Sequence, residues 1–416
     1  MKKRELISLV MAVAMTAGLA GCGGGNTATT AAPEAATAET AATTAAAAET
    51  AAATTAAATT AAAETTAAAA TTENAGSGTA AATANTEAAA DAEQAAGPVY
   101  GPVIGVTLYT VRNTYNAMYD EKVAAGSTEQ EAATYALTSV LHTIADMGYT
   151  AYQPNFMDKN WFLMDAAELR ALNEELGLLL WSPHWVNAWD YTDEEVSKTL
   201  DYLNEAGATG ISLDISSAPS RIKGQPITQK MMKEWVDDVK VKLHWMQDKI
   251  AEKGYDLRVG FHAHSMEWIP IEAYGNRYFL DILYSEFGDS VDWHFDTSHM
   301  VYPNVGMDAI YPYDFPGEEG LIEYLWSRGD QYNMIHIKDV DCEGYWTASI
   351  GQGDIEWNEV FRALVANDVT YAFVEDNSPE KFNRTEYESI QNSINYIRQM
   401  YISLGLTERS WKEVAD

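Results

Sequence analysis

The sequence predicts an α/β fold: a (β/α)8 TIM barrel preceded by a signal peptide and a disordered Ala/Thr-rich linker. Three observations carry this. The chain opens cationic, turns apolar, and then becomes almost pure Ala and Thr until its first aromatic residue, Tyr100. From residue 103 onward, short β-branched or apolar runs alternate with longer amphipathic ones about eight times, as a parallel sheet with crossover helices requires. Most amphipathic runs stop at a glycine, the residue that ends helices in the left-handed conformation at least cost.

Met1–Lys2–Lys3–Arg4 is followed by a mostly apolar stretch from Leu6 to Ala20, interrupted by Ser8 and Thr16. This is the layout of a secretory signal, and it is too short for a comfortable membrane span. Leu19–Ala20–Gly21–Cys22 resembles the bacterial lipobox. That resemblance implies cleavage before Cys22, lipidation of its thiol and new amine, and export to a bacterial membrane surface held by a lipid anchor alone. Residues 22–99 have no Lys, Arg or aromatic side chain with which to build a core, so they are expected to form a disordered tether. The domain organisation expected is 1–21 signal, 22–99 linker and 100–416 barrel. With Cys22 spent on lipid, Cys342 has no partner for a disulfide.

Within the barrel region, Val103–Tyr109 reads as the first strand and Gln130–Met147 as a helix ending at Gly148. Thr150–Gln153 is the second strand, followed by the helix Asp165–Leu176 and Gly177. Leu178–His184, Thr209–Asp214 and Leu257–His264 are the next strands; helices Thr192–Ala206 (before Gly207) and Thr228–Lys253 (before Gly254) separate them. A helix over Asn276–Phe287 leads to strands Val291–Asp296, Met334–Lys338 and Thr370–Glu375, with helices near Gly317–Trp326, Ile355–Ala366 and Thr385–Leu404 after them. Eight units suit a closed barrel. An open doubly wound sheet would want a glycine-rich loop after the first strand, and Leu108–Tyr109–Thr110–Val111 offers none.

The net charge of −34 counts against nucleic acid, because a phosphate-binding protein needs basic side chains to displace counterions. Active sites of such barrels lie at the C-terminal ends of the strands. Six of the eight histidines fall in or just beyond strand ends: His184, His262, His264, His294, His299 and His336. Asp296, Lys338 and Glu375 end strands six, seven and eight, with Glu267 just past strand five. Imidazoles and carboxylates together suit a divalent metal ion: Mn, Zn, Co or Fe, with Mg less favoured by the nitrogens. Trp181, Trp185, Trp189, Trp268, Tyr302, Tyr311, Tyr313 and Trp346 lie at or after strand ends, where rings can stack on sugar faces. Gly351–Gln352–Gly353 reads as a turn, or as a cradle for phosphate.

Five segments then resemble one family in order. Val103–Arg112 resembles the opening strand of the xylose-isomerase-like barrels, the sugar phosphate isomerases/epimerases. Gly260–Trp268 resembles their His-x-His-x-x-Glu strand, Phe295–His299 their Asp-x-x-His segment, and His336–Asp339 their His-x-Lys-Asp segment. Gly351–Gln352–Gly353 with Trp357, and Glu375, complete the set.

The resemblance implies a metal-dependent sugar isomerase or epimerase that moves a proton beside a carbonyl through an enediolate, acting on a small carbohydrate. It implies Asp296, His336 and Glu375 as metal ligands. The fourth ligand comes from the strand-five region, which offers His262, His264 and Glu267; His264 is the expected one because it lies nearer the mouth. Glu267 and Glu375 are the acid/base candidates, His262 is a further catalytic candidate, His184 and His299 are expected to orient hydroxyls, and Lys338 is expected to face the developing oxyanion or to pair with Asp339 or Asp376. Strand two departs from the family by ending in Gln153 where relatives often carry Glu. The alternative readings are a keto-sugar lyase or hydratase on the same site, and a carbohydrate-binding lipoprotein without turnover.

Overall fold

The computed structural model describes residues 97–155, 162–186, 188–214, 227–301, 316–342 and 346–414. The signal segment, Cys22 and nearly all of the linker lie outside the described residues, as do Tyr302, Tyr311 and Tyr313. Among the described residues, no helix is long and apolar enough to cross a membrane.

Strand β1 (Val103–Thr107) is buried along its length. It pairs in parallel with β2 (Ala151–Gln153) on one side and β11 (Tyr371–Val374) on the other. Beyond these lie β3 (Leu179–Leu180) and β8 (Met334–Ile337). A second parallel run contains β4 (His184–Val186), β5 (Gly210–Asp214), β6 (Arg258–Ala263) and β7 (Val291–Phe295).

The two runs meet on both sides. Asp296 bridges in parallel to His336, joining β7 to β8, and Asn155 bridges to His184, joining the end of β2 to β4. β3 and β4 occupy one barrel position. The expected single strand Leu178–His184 breaks at Ser182–Pro183 because proline has no N–H for the ladder. The ladder still continues across the break, with the Trp181 N–H reaching the Tyr152 carbonyl and the Ser212 N–H reaching the Pro183 carbonyl. Eight positions therefore close into a parallel barrel. An antiparallel hairpin of β9 (Asp339–Asp341) and β10 (Trp346–Ala348), which the alternation pattern gave no sign of, follows β8.

The helices are α1 (Arg112–Ala124), α2 (Glu129–Met147), α3 (Ala166–Leu176), α4 (Asp193–Ala206), α5 (Gln229–Lys253), α6 (Phe279–Phe287), α7 (Thr297–Val301), α8 (Gly317–Arg328), α9 (Trp357–Ala366) and α10 (Glu386–Leu404). Reciprocal caps start α2, α4 and α10: Thr128 with Glu131, Thr192 with Glu195, and Thr385 with Glu388. Each such cap contributes about 1 kcal/mol. Gly148, Gly177, Gly207 and Gly254 end their helices in the left-handed conformation, as the sequence predicts.

Two helices were not legible. α1 buries only Tyr115 and Tyr119, whose rings stack one turn apart, so it has no apolar stripe. Its first N–H groups, at Asn113 and Thr114, are satisfied by the carboxylate of Glu386, far away in sequence. α7 is five residues long, too short for periodicity to register.

The main core lies between strands and helices. A separate small cluster fills the barrel axis: Ala151, Trp181, Met334 and Phe373, with Leu179 and Tyr371 against it. Trp181 sits with its ring 4.4 Å from Tyr371 and 5.9 Å from Phe373, forming a solid floor. Gly105 is obligatory here, since a Cβ would lie 2.5 Å from the Phe373 ring. Gly260 likewise leaves room for His294, whose Cε1 would sit 2.9 Å from an added Cβ. His294 belongs to this floor: its Nδ1 meets Ser212 Oγ at 3.1 Å, and burial pushes its imidazole well below the usual range. The polar residues above the floor face the C-terminal mouth of the barrel.

Candidate active site

The alternation of β7, β8 and β11 turns one set of side chains inward. Asp296 follows β7, His336 lies on β8 with Lys338 just past its end, and Glu375 follows β11. Ligand atoms of Asp296, His336 and Glu375 all lie within 4.8 Å of one another. His184, His262 and His336 form a second such group, so His336 is shared. All of these residues are buried.

The oxygens of the two carboxylates divide their partners. Lys338 Nζ takes Asp296 Oδ2 at 3.2 Å and Glu375 Oε1 at 2.7 Å. His336 Nδ1 instead faces the other two oxygens, Asp296 Oδ1 at 3.5 Å and Glu375 Oε2 at 3.0 Å. These approaches are close but not aligned as hydrogen bonds, and Asp296 Oδ1 and His336 Nδ1 have no hydrogen-bond partner among the described residues. The lysine is thus an ion pair of the site, with Asp296 and Glu375 and not with Asp339 or Asp376. It occupies one flank of the carboxylates and leaves the other to His336.

The donor set fits a divalent ion. Two donors about 2.1 Å from one ion, roughly 90–110° apart, lie about 3.0–3.4 Å from each other. Of the spacings around His336 Nδ1, 3.0 Å falls at the lower end of that range and 3.5 Å just above it. Asp296 Oδ1 and His336 Nδ1, both buried and without an aligned hydrogen-bond partner among the described residues, are donors that a cation would satisfy.

Other polar groups brace this centre. His299 Nε2 lies 3.2 Å from Asp296 Oδ2, and its Nδ1 meets Ser265 Oγ at 3.0 Å. Thr297 Oγ1 donates to the Lys338 carbonyl and accepts from the Lys338 N–H, clasping β8 to α7. His336 Nε2 lies 2.6 Å from Gln153 Oε1. The rings of His184 and His262 are 4.3 Å apart, and that of His336 lies 5.1 and 4.6 Å from them.

Burial works against the charge on Asp296, but Lys338, His299 and His336 override it and hold the carboxylate well below the usual range. Glu375 behaves the same way: burial and Asp296 oppose its charge, and Lys338 and His336 hold it low. Lys338 is raised, because these two carboxylates outweigh its desolvation. His262 is pushed well below its usual value, first by burial and then by the positive charge that His184 and His336 can carry. Burial also opposes the charged form of His336, yet Asp296 and Glu375 lift it to about 9.

That last shift makes a pH prediction for the chelated, metal-free chain. An unfolded imidazole titrates near about 6.5. The folded state holds its proton up to about 9. The stabilisation is therefore fully present below about pH 6.5 and is lost as pH rises through 9, a loss on the order of 3 kcal/mol. Asp296, Glu375 and Lys338 do not change charge in this window. Urea unfolding at pH 6 and pH 9.5 should show the loss, and H336Q should flatten it; a wild-type chain that gains stability over that interval would contradict the assignment.

The other expected residues take different places. His264 was expected as the fourth ligand, but it belongs to neither group of converging donors. β6 ends at Ala263, so His264 starts a turn whose N–H donates to Glu267 Oε2 at 3.0 Å, while its ring lies edge-on to His262 and His299. His262, still on the strand and facing inward, is the strand-five residue in the site; its Nε2 is 3.8 Å from Asp296 Oδ2. Glu267 is buried in that turn, outside both groups. His299, expected to meet a hydroxyl, is turned onto Asp296.

Gly351–Gln352–Gly353 does form an anion cradle, but the anion is internal. The N–H groups of all three residues and the Trp357 indole donate to Asp339 Oδ2 at 2.8–3.1 Å. Of the aromatic residues, Trp181 is floor, Trp185 packs on Tyr191, and Trp268 is walled in by Phe295, Tyr324 and Tyr278. Trp346 is 38% exposed, with Lys381 Nζ 4.1 Å above its ring. Cys342 is half-buried, and burial together with Asp354 raises its thiol to about 11, which makes it a poor nucleophile. Ser265 and Thr297 had been passed over; the signal available was their position one or two residues beyond strand-end ligands.

No protein-family model and no curated protein matches the chain. Among solved structures, it is similar to a sugar phosphate isomerase/epimerase from Parabacteroides distasonis, at 18% identity and TM-score 0.46, covering 71% of this chain and 98% of that one. It is similar to a D-allulose 3-epimerase from Methylomonas sp., at 15% identity and TM-score 0.44, covering 73% and 100%. It is also similar to a 3-keto-D-glucoside 4-epimerase from E. coli, at 17% identity and TM-score 0.43, covering 72% and 99%.

Proposed function

We propose that this chain is a divalent-metal-dependent sugar isomerase or epimerase that shifts a proton between carbons next to a carbonyl. The observation that carries the reading is the convergence of Asp296 Oδ1, Glu375 Oε2 and His336 Nδ1 on one point, with Lys338 engaged on the opposite oxygens. Asp296, His336 and Glu375 would hold the ion, with His262 the nearest further donor. A cation there supplies Lewis-acid polarisation of a substrate carbonyl, which makes the neighbouring C–H acidic enough to lose its proton.

The rest falls to the chain itself. Glu375 leaves the acid/base pair, since a carboxylate held low by Lys338 and His336 is a weak base and is committed to holding charge. Glu267 remains the proton acceptor at the mouth. Protonated by that step, Glu267 returns the proton to the neighbouring carbon, while His262, kept neutral and with Nδ1 unpartnered among the described residues, is left to hydrogen-bond a substrate hydroxyl. Lys338 is fixed by two carboxylates and supplies steady positive charge beneath the reacting oxygens. His299 and Ser265 keep Asp296 from rotating. Trp181 and Phe373 close the barrel below and keep bulk water from rising through it.

Solvent deuterium exchange into a panel of ketoses and keto-glycosides, with metal-loaded protein, tests the chemistry. Exchange at one carbon is expected, and E267Q should slow it by about 10²–10⁴-fold. No exchange into any sugar at full loading would turn the reading toward a binder. Asp339 fills the nearest glycine cradle, which favours an unphosphorylated sugar.

We propose further that the barrel is exported and tethered by lipid on Cys22, on the strength of Leu19–Ala20–Gly21–Cys22. C22A should leave full-length protein in the soluble fraction and unlabelled by radioactive palmitate; equal labelling of both forms would refute the anchor.

A further inference from the structure

We infer that Gln153 is a positioning residue that fixes which nitrogen of His336 is offered to the metal, and this rests on the metal reading above. The sequence marks Gln153 as the strand-two residue where the resembling family often carries Glu. The side chain is already spent. Its Nε2 donates to the Ser182 carbonyl at 2.7 Å, and its Oε1 lies 2.6 Å from His336 Nε2.

The first of these bonds orients the amide. If the amide were flipped, its oxygen would face the Ser182 carbonyl oxygen and its NH₂ would face the ring. Two acceptors in contact inside a buried site cost the desolvation of both, about 1–3 kcal/mol each. The Ser182 carbonyl is available because Pro183 breaks the strand at this point. Ser182 is itself anchored, its N–H donating to Thr209 Oγ1 at 3.0 Å. A chain of hydrogen bonds therefore runs from Thr209 through Ser182 and Gln153 to His336. Gln153 is 1% exposed, Ser182 and His336 0%, so water does not compete for the links between Ser182, Gln153 and His336.

With Oε1 an obligate acceptor, His336 Nε2 must carry the proton. The neutral ring then has its lone pair on Nδ1, the nitrogen that faces Asp296 Oδ1 and Glu375 Oε2. A histidine ligand whose second N–H is fixed by an outer acceptor binds metal better and in one orientation. The same bond prevents Nε2 from serving as a ligand while the Gln153 contact holds. It thereby favours the carboxylate-rich donor set over the three-imidazole group, which also includes His336.

The test uses the barrel chain loaded with Zn²⁺, with competitive Zn²⁺ titration and ¹⁵N–¹H spectra of the histidine rings. Wild type should show His336 with a protected Nε2–H and no proton on Nδ1. Q153M, which keeps the length but removes the acceptor, should weaken Zn²⁺ binding about 10–100-fold. Q153E, which keeps the acceptor toward the ring but loses the donor to Ser182, should weaken binding less than Q153M and keep the same Nε2–H signal. Melting of the metal-free variants reports a merely structural loss separately. A wild-type spectrum with the proton on Nδ1, or Q153M binding Zn²⁺ as tightly as wild type, overturns the inference while leaving the metal site intact. Absence of Zn²⁺ binding by wild type overturns both.

Discussion

Purified H336Q is expected to lose its divalent metal while remaining folded. Among the described residues, His336 supplies the nitrogen that faces both Asp296 Oδ1 and Glu375 Oε2, at 3.5 and 3.0 Å. Glutamine fills much of the imidazole's volume, but its amide reaches less far and is a poor ligand beside two carboxylates. Losing an outer partner of a metal ligand costs about 10–100-fold in affinity. Losing the ligand itself should cost more, so the purified variant should hold less than a tenth of the wild-type metal. The measurement is metal content after gel filtration, with near-ultraviolet circular dichroism to confirm the fold. An unchanged metal content would remove His336 from the site.

The second large effect is at Lys338. It is 1% exposed and bonded to Asp296 and Glu375 at 3.2 and 2.7 Å. K338M leaves two buried carboxylates facing each other with no ammonium to balance them, only the imidazoles of His336 and His299 close by. Breaking a buried pair from one side typically costs about 3–5 kcal/mol, because the remaining charge has nothing to balance it. The metal-free variant should therefore unfold at much lower urea than wild type at pH 7.

The loss should shrink on acidification, since the carboxylates, no longer held low by the ammonium, take up protons more readily in the fold. Divalent metal should rescue the variant by more than it stabilises wild type, because the site is one charge more negative. A metal-free K338M as stable as wild type at pH 7 would mean that the lysine contributes nothing to holding the carboxylates.

Much of this was legible in the chain before its structure. Parallel strands flanked by helices produce near-continuous apolar runs, and the helices between them end at Gly148, Gly177, Gly207 and Gly254, so the barrel could be read. Asp296, His336 and Glu375 were legible as strand-end residues, and as a ligand set only through the resemblance of their segments to the xylose-isomerase-like barrels. Alternation set His262 and His264 on one face, and the turn that begins at His264 once β6 stops at Ala263 had no local signal.

What alternation could not give was partnership across the barrel. The pairing of Lys338 with Asp296 rather than the adjacent Asp339 depends on Asp339 being consumed by four donors at the Gly351–Gly353 turn and Trp357. That arrangement joins segments on both sides of a hairpin which no local pattern announced. The bond between Gln153 and His336 spans 183 residues, and only closure of the barrel makes it possible. Tryptophan at a strand end was equally ambiguous: Trp181 and Trp268 went to packing, because a strand's last residues feed the floor and the outer shell as well as the mouth.

The central claim is that one divalent cation sits among Asp296, His336 and Glu375. A crystal of the Mn²⁺- or Zn²⁺-loaded protein, with anomalous differences collected at the metal edge, tests it most directly. The account predicts a single strong peak bounded by Asp296 Oδ1, Glu375 Oε2 and His336 Nδ1, with Lys338 still on the far oxygens. A peak among His184, His262 and His336 instead, or no peak in the barrel at saturating metal, would contradict it.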